Sequence, residues 1–416
     1  MHPLTAPPGT LPHRDTLDVG RGASERFSDA QVSELLTLRR TLHHFPELSN
    51  QEHRTAAHLD AVLASLGIAA IQRVAGTGIV ARIPGLHADA PVVAIRGDID
   101  ALPIDEQTGL AFASSTPGVM HACGHDVHAT WAIGAAMDLL RARAEGDVLI
   151  VLQPAEEIGA GATAILASGV LDGVQAIFGG HVDRRFIVGQ VIAEPGPLAA
   201  SADTFTIRLR GKGAHGARPH EAADPIVAAA AVIMALQTVV ARRVDPARPA
   251  VCTVGSVNAG IASNVIPETA TLTGTLRAMD APTRATLVTE LTRIATAVAA
   301  AYGVTAEVDV EHGTPPIVNP AREAQWARTA AIAVLGTDAV VPFGITNMGG
   351  EDFSCYLERI PGCFLRFGAR AAGEAATAAH SSRFDVAEGA ILVGAAVLAE
   401  CARTASRELR ALAASG

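Results

Sequence analysis

Aromatic residues make up only 4% of this 416-residue chain, with two Trp and two Tyr. Its interior must therefore be filled by aliphatic side chains, packed closely because each is small. Charge is also thin, at 18%, and the balance is acidic, with a formal net charge of −10. That balance argues against nucleic acid or an anionic membrane as the main partner. The five cysteines, Cys123, Cys252, Cys355, Cys363 and Cys401, are odd in number and scattered, which excludes a disulfide framework. Cys363 lies in an apolar strand-like run and reads as core. No apolar run of signal-peptide type opens the chain, so a cytoplasmic location is expected. The most apolar stretch, 226–241, is broken by Gln237 and reads as too short for the ~20 residues of a bilayer span.

What is present is a 49% hydrophobic composition, enough for full cores in about two domains. Residues 1–29 carry Pro, Gly, Arg and Asp without an apolar pattern and read as a disordered extension. A helical stripe follows at Leu35, Leu36, Leu38 and Leu42. Ser49-Asn-Gln-Glu52 has the spacing of a capping box, predicting a helix that Gly67 ends. Short apolar runs at Gly78–Ile83, Val92–Ile95, Val148–Leu152 and Ala176–Phe178 alternate with a helical pattern at 129–140. Strands apolar on both faces indicate a mostly parallel sheet covered by helices. From Ser201 the texture changes. Phe205, Ile207 and Leu209 alternate with polar residues, and Asp224-Pro225 opens a long helix. The order to Glu311 is β-α-β-β-α-β, a ferredoxin-like domain (201–311) inserted into an α/β domain formed by 30–200 and 312–416.

The polar residues gather where this map ends its strands. His121-Ala-Cys-Gly-His-Asp-Val-His128 puts three His, a Cys and an Asp in eight residues at a helix start. Soft and borderline donors in that density suit a transition metal, although a solvated loop has the same look. Asp98 and Asp100 follow one strand, Glu156-Glu157 another, and His181 a third. Ligand sites of open α/β sheets form beyond the carboxyl ends of the strands. Adjacent carboxylates on a tight turn can divide the labour of metal hydrolysis, one as ligand and one as base; an exposed acidic pair looks the same. His380 sits in a Gly/Ala-rich loop. Cys123, His125, Glu157, His181 and His380 are too many donors for one tetrahedral zinc and suit two metals.

Ordered motifs run from about residue 38 to 398. They are His43-His-Phe-Pro-Glu-Leu-Ser49, Arg96-Gly-Asp-Ile-Asp-Ala-Leu-Pro103, His121-Ala-Cys-Gly-His-Asp126, Gln153-Pro-Ala-Glu-Glu157, Gly211-Lys-Gly-Ala-His215, Asn264-Val-Ile-Pro267, Gly274-Thr-Leu-Arg277 and Gly349-Gly-Glu-Asp-Phe353. The chain resembles the aminoacylase, hippurate hydrolase and indole-acetyl-amino-acid hydrolase group of dinuclear-metal amidohydrolases. These are relatives of the metallo-carboxypeptidases with a dimerisation lid. The resemblance implies a bridging Cys123, ligands His125, Glu157, His181 and His380, and Glu156 as general base. It implies that His215, on the 201–311 lid, stabilises the oxyanion across a homodimer. Asn264 and Arg277 would clamp the substrate carboxylate, while Asp98, Asp100 and Asp126 orient ligand imidazoles. Two divalent transition metals per subunit (Zn, Mn, Co or Ni) and a small N-acyl-L-amino acid substrate follow. A dipeptidase or small carboxypeptidase is the alternative on this scaffold, and a non-catalytic metal-binding protein the remote one. Departures from the group's usual residues occur at Gly97, Val127, Asp183 and Ser382, and none removes a ligand. His121 and His128 are left over; His128 lies one helical turn beyond His125, which would permit ligation, with a supporting or surface role as the other reading.

Overall fold

The computed structural model describes residues 21–415 and, before them, 4, 5, 7, 10–14, 17 and 19. The chain forms two compact units. One comprises residues 1–196, 319–344 and 355–416, and the other residues 197–318 and 345–354. The second unit is thus wider than 201–311 and takes in a later segment that the sequence pattern did not attach to it.

The first unit is built on a seven-stranded sheet. In spatial order its strands are Ile71–Val74, Gly78–Ile83, Val148–Gln153, Val92–Asp98, Val174–Ile187, Gly362–Arg370 and Val191–Ile192. The four central strands, from Val148–Gln153 to Gly362–Arg370, run parallel, and the remaining pairings are antiparallel. Every residue of Val148–Gln153 is buried, so helices and loops cover both faces, as its unbroken apolar run requires. Two predicted strands run on further than their apolar cores. Asp98 ends a strand rather than following it, and His181 lies within the 14-residue strand Val174–Ile187.

Helices His125–Arg141 and Gly389–Ser415 pack together against this sheet. Their contact uses small residues so that the backbones approach closely. A Cβ on Gly394 would lie 2.2 Å from the Trp131 ring, which is fully buried there. One of the two Trp residues is thus spent under the start of the His125–Arg141 helix, where its ring stacks on His128 at 4.5 Å between centroids. Gly389–Ser415 is apolar enough to cross a membrane, but it is the central core helix here, with most of its residues buried.

The extension read over 1–29 falls partly outside the described residues, and its last third is corrected. Arg21–Ser24 is helical, and Ala23 and Phe27 are buried in the core. Arg26 is anchored through Nη1 to Asp138 Oδ2 at 2.9 Å, which Arg403 Nη2 also reaches at 2.8 Å, while Arg141 meets Oδ1 at 2.5 Å. Burial would raise the Asp138 pKa, but Arg403, Arg141 and Arg26 overrule it and hold it below the ordinary carboxylate value. A depressed carboxylate stabilises the fold above its unfolded pKa and loses that contribution as pH falls through the folded one. Asp138→Asn is expected to cost about 2 kcal/mol at neutral pH, the worth of hydrogen bonds to a charged group. The gap between wild type and variant should begin to narrow below about pH 4 and close once the pH passes the depressed folded value. Urea titrations at both pH values measure it; a gap independent of pH would show that the charge contributes nothing.

The second unit holds an antiparallel sheet in the order Ala250–Ala259, Thr269–Ala278, Asp203–Arg210, Thr305–Glu311. Asp203–Arg210 alternates buried and exposed residues, and Phe205, Ile207 and Leu209 form the core with helices Pro225–Arg243 and Ala281–Ala301. Asp224 caps the first of these, accepting from the Ile226 amide at 2.8 Å. The helix is 19 residues long, beyond the 226–241 read from sequence, so length alone does not set it apart from a membrane span. One face of it, with Ala228, Ala229, Val232, Leu236 and Val239, is buried in this unit's core. Ile226, Val227 and Met234 stay exposed.

Candidate metal centre

The donors converge at the carboxyl ends of the parallel strands in the first unit. Cys123 Sγ lies 3.1 Å from His181 Nε2. His181 Nδ1 is 2.6 Å from the Val182 carbonyl, to which it donates, leaving the Nε2 lone pair toward the sulfur. His125 is held alike: Nδ1 donates to the Asp100 carbonyl at 2.9 Å and faces Asp100 Oδ1 at 3.2 Å. Among the described residues its buried Nε2 has no hydrogen-bond partner, and neither has Glu157 Oε1, 3.8 Å away. Glu157 Oε2 is 3.5 Å from His380 Nε2. His380 has φ +65° and its amide donates to the Ala122 carbonyl at 2.8 Å, which ties its loop beside Cys123.

Among the described residues five triads of donors have ligand atoms within 4.8 Å of one another, and two of them share Cys123: Cys123 with His125 and His181, and Cys123 with Glu157 and His380. Glu156 Oε2 reaches to 3.7 Å from His125 Nε2; it lies outside the two triads that share Cys123 and forms another with His125 and Glu157.

The electrostatics call for a cation. Burial opposes charge on His125, yet Asp98, Asp100 and Cys123 raise its pKa well above normal, so the pocket favours a positive charge at Nε2. Burial, followed by the Glu157 charge, pushes the Cys123 thiol well above its ordinary value, and burial raises Glu157 as well. His181 is held neutral by burial and by His128 and Arg366. Orphaned, buried N and O atoms beside a thiol therefore fit divalent transition metals, whose charge would offset the crowded anions.

Of the three aspartates expected to orient ligand imidazoles, Asp100 alone hydrogen-bonds one, and the expectation is corrected for Asp98 and Asp126. Asp100 holds the His125 ring and, through Oδ2, accepts the Glu157 amide at 3.0 Å and the Ser49 hydroxyl at 2.7 Å. Asp98 takes Arg96 at 2.6 Å and His128 Nδ1 at 2.6 Å. Asp126 turns away from the donors and binds Arg39 Nε at 2.9 Å and His43 Nδ1 at 2.8 Å. Burial works against charge on His43, but Asp126 and Glu106 outweigh it and bring its pKa up to about 9. A charged network thereby locks the helix Asp29–His44 to the helix that starts at His125.

Sequence reasoning left His128 open as a ligand, and its hydrogen bonds close that option. Its Nε2 accepts the Val182 amide at 3.0 Å and its Nδ1 donates to Asp98, so both nitrogens are spent beside His181. Gly97 lies below this point: a Cβ there would sit 2.4 Å from the His128 carbonyl, so the helix crosses the strand closer than an alanine allows.

In the second unit, His215 is exposed on the short strand Ala214–His215, paired with Val265–Ile266. The Gly216 amide donates to the Asn264 carbonyl at 2.8 Å, which brings Asn264 beside His215. Arg277 is half-buried on the strand Thr269–Ala278.

Comparison with known proteins places the chain in a family. Residues 94–404 match peptidase family M20/M25/M40, a span that holds all the donors. An N-acetylcysteine deacetylase of Bacillus subtilis is 42% identical over 371 residues, covering 88% of this chain and 96% of that protein. An IAA-amino acid hydrolase of Arabidopsis thaliana is 38% identical over 384 residues, covering 91% and 87%. Among solved structures, a dinuclear metal binding peptidase of the M20 family from Bacillus subtilis superposes with a TM-score of 0.81 at 38% identity, covering 91% of this chain and 99% of that one. The chain is a hydrolase belonging to peptidase family M20/M25/M40.

Proposed function

We propose that this protein is a metal-dependent amidohydrolase that cleaves N-acyl-L-amino acids to a carboxylic acid and a free amino acid. The observation that carries this reading is the pair of donor triads sharing Cys123, with Glu156 alongside and outside both. The deacetylase and IAA-amino acid hydrolase names of its relatives agree with it. Cys123, His125, Glu157, His181 and His380 would hold two divalent ions (Zn, Mn, Co or Ni), which supply Lewis acidity toward the scissile carbonyl and the attacking water. Glu156 removes the proton of that water and delivers it to the nitrogen of the departing amino acid. Asp100 keeps the His125 lone pair turned inward, and Asp98, through His128, holds the amide of Val182, the residue whose carbonyl orients His181. His215 donates to the developing oxyanion, and Asn264 and Arg277 hold the carboxylate of the leaving amino acid, a group that guanidinium pairs bidentately.

The enzyme is proposed to be cytoplasmic and to dimerise through the second unit. The edge strand Ala250–Ala259, with Val257 exposed, and the exposed Ile226, Val227 and Met234 supply a face for a second copy.

The purified chain, reconstituted with each metal in turn, is to be offered N-acetyl-, N-benzoyl- and indole-acetyl-amino acids alongside dipeptides. Amine release from the acylated amino acids, abolished by chelation and restored by metal, is the expected result. Turnover of dipeptides alone would move the assignment to a dipeptidase, and no turnover with metal bound would leave a binding protein.

A further inference from the structure

Ser49-Asn-Gln-Glu52 has the spacing of a capping box, but Glu52 makes no cap to the helix His53–Ser65 that follows it. That work passes to Glu47, whose Oε2 accepts the Arg54 and Thr55 amides at 2.8 Å each. Glu52 instead turns inward and is fully buried. Its Oε1 accepts the Ala155 amide at 3.0 Å, 103 residues away in sequence, and the Asn50 amide at 3.0 Å; its Oε2 accepts the Thr77 hydroxyl at 2.6 Å. Ala155 begins the turn that carries Glu156-Glu157, and it sits at φ +53°, a left-handed conformation that a residue with a Cβ resists.

The turn is thus pinned on both sides of Glu156. Ahead of it, Glu52 holds the Ala155 amide; behind it, Asp100 holds the Glu157 amide, and Ser49 holds Asp100. We infer that Glu52 is a positioning residue for hydrolysis, which fixes the direction of the Glu156 carboxylate by holding Ala155 in its left-handed conformation. It touches neither substrate nor metal. A buried carboxylate suits the task, because one oxygen can take two amides while Thr77 orients the other.

The inference rests on Glu156 as the general base, so the test has one arm that needs no substrate. Hydrogen exchange of the peptide covering 153–158 is to be compared in the metal-loaded wild type, Glu52→Leu and Glu52→Gln. Faster exchange in Glu52→Leu is expected, with wild-type metal stoichiometry. In the activity arm its kcat should fall about 10- to 100-fold with KM nearly unchanged, since a misdirected group costs rate rather than binding. Glu52→Gln keeps an acceptor oxygen for the amides and should recover most of the loss. Glycine takes φ +53° freely, so Ala155→Gly added to Glu52→Leu should also recover part of kcat. A role in stability alone would lower the melting temperature without rescue at position 155. If the leucine variant does not fold, Glu52→Asp replaces it: the charge stays, and the shorter side chain cannot span Thr77 and Ala155 together. Unchanged exchange in the 153–158 peptide, or unchanged kcat in the variant that folds, overturns the inference. Faster exchange in an enzyme that turns over no acylated amino acid would keep the clamp and discard the reaction.

Discussion

Glu156→Gln should retain its metals and lose turnover, with kcat down about 100- to 10,000-fold, the usual cost of removing a general base. The glutamine is isosteric, and both donor triads are complete without position 156. Its neighbour behaves differently. Glu157 faces His380 Nε2 at 3.5 Å and belongs to a triad, so its loss should be read first in metal content. The two adjacent carboxylates are thereby separable by pairing metal analysis with single-turnover kinetics. A Glu156→Gln enzyme at full metal occupancy that keeps most of its kcat would remove the base from that position.

His215→Ala should lower kcat about 100- to 1,000-fold without changing metal content, the range for one oxyanion donor. His215 belongs to the compact unit that lacks the donor triads, which allows it to be supplied by another copy of the chain. Co-expression of His215→Ala and Glu156→Gln chains decides the matter. If His215 acts across a dimer, a mixed pair has one site with both lesions and one with neither, and random assortment returns roughly a quarter of wild-type activity. If it acts within its own chain, every site keeps one lesion and mixing restores nothing. Light scattering on the wild type settles the dimer separately.

The donor cluster was legible because its members are rare residue types at strand ends and a helix start. Cys123 and His125 stand two residues apart, and no burial pattern accounts for both in an aliphatic chain. The alternation of Phe205, Ile207 and Leu209 likewise disclosed a sheet covered on one side. What stayed hidden was non-local hydrogen bonding. His128 fits a ligand by its spacing from His125, but its partners Asp98 and Val182 are 30 and 54 residues distant. Glu52 copied a local capping signature, while its actual partner is the Ala155 amide. A short motif cannot report which of two satisfied arrangements the fold selects, because both leave the same residue types in place. Strand ends escaped for a related reason: past its apolar core, a strand such as Val174–Ile187 is held by its neighbours rather than by its own pattern.

The helix His125–Arg141 carries a donor at its first residue and is buried along nearly its whole length against the core helix Gly389–Ser415. A structural zinc module melts when its ion leaves, because the ion supplies the folding energy. Here the packing of that helix against its neighbour supplies that energy, so an ion held at its first residue would arrive at a structure already formed. Stripping metal with a chelator should then leave the far-ultraviolet signal of the chain in place.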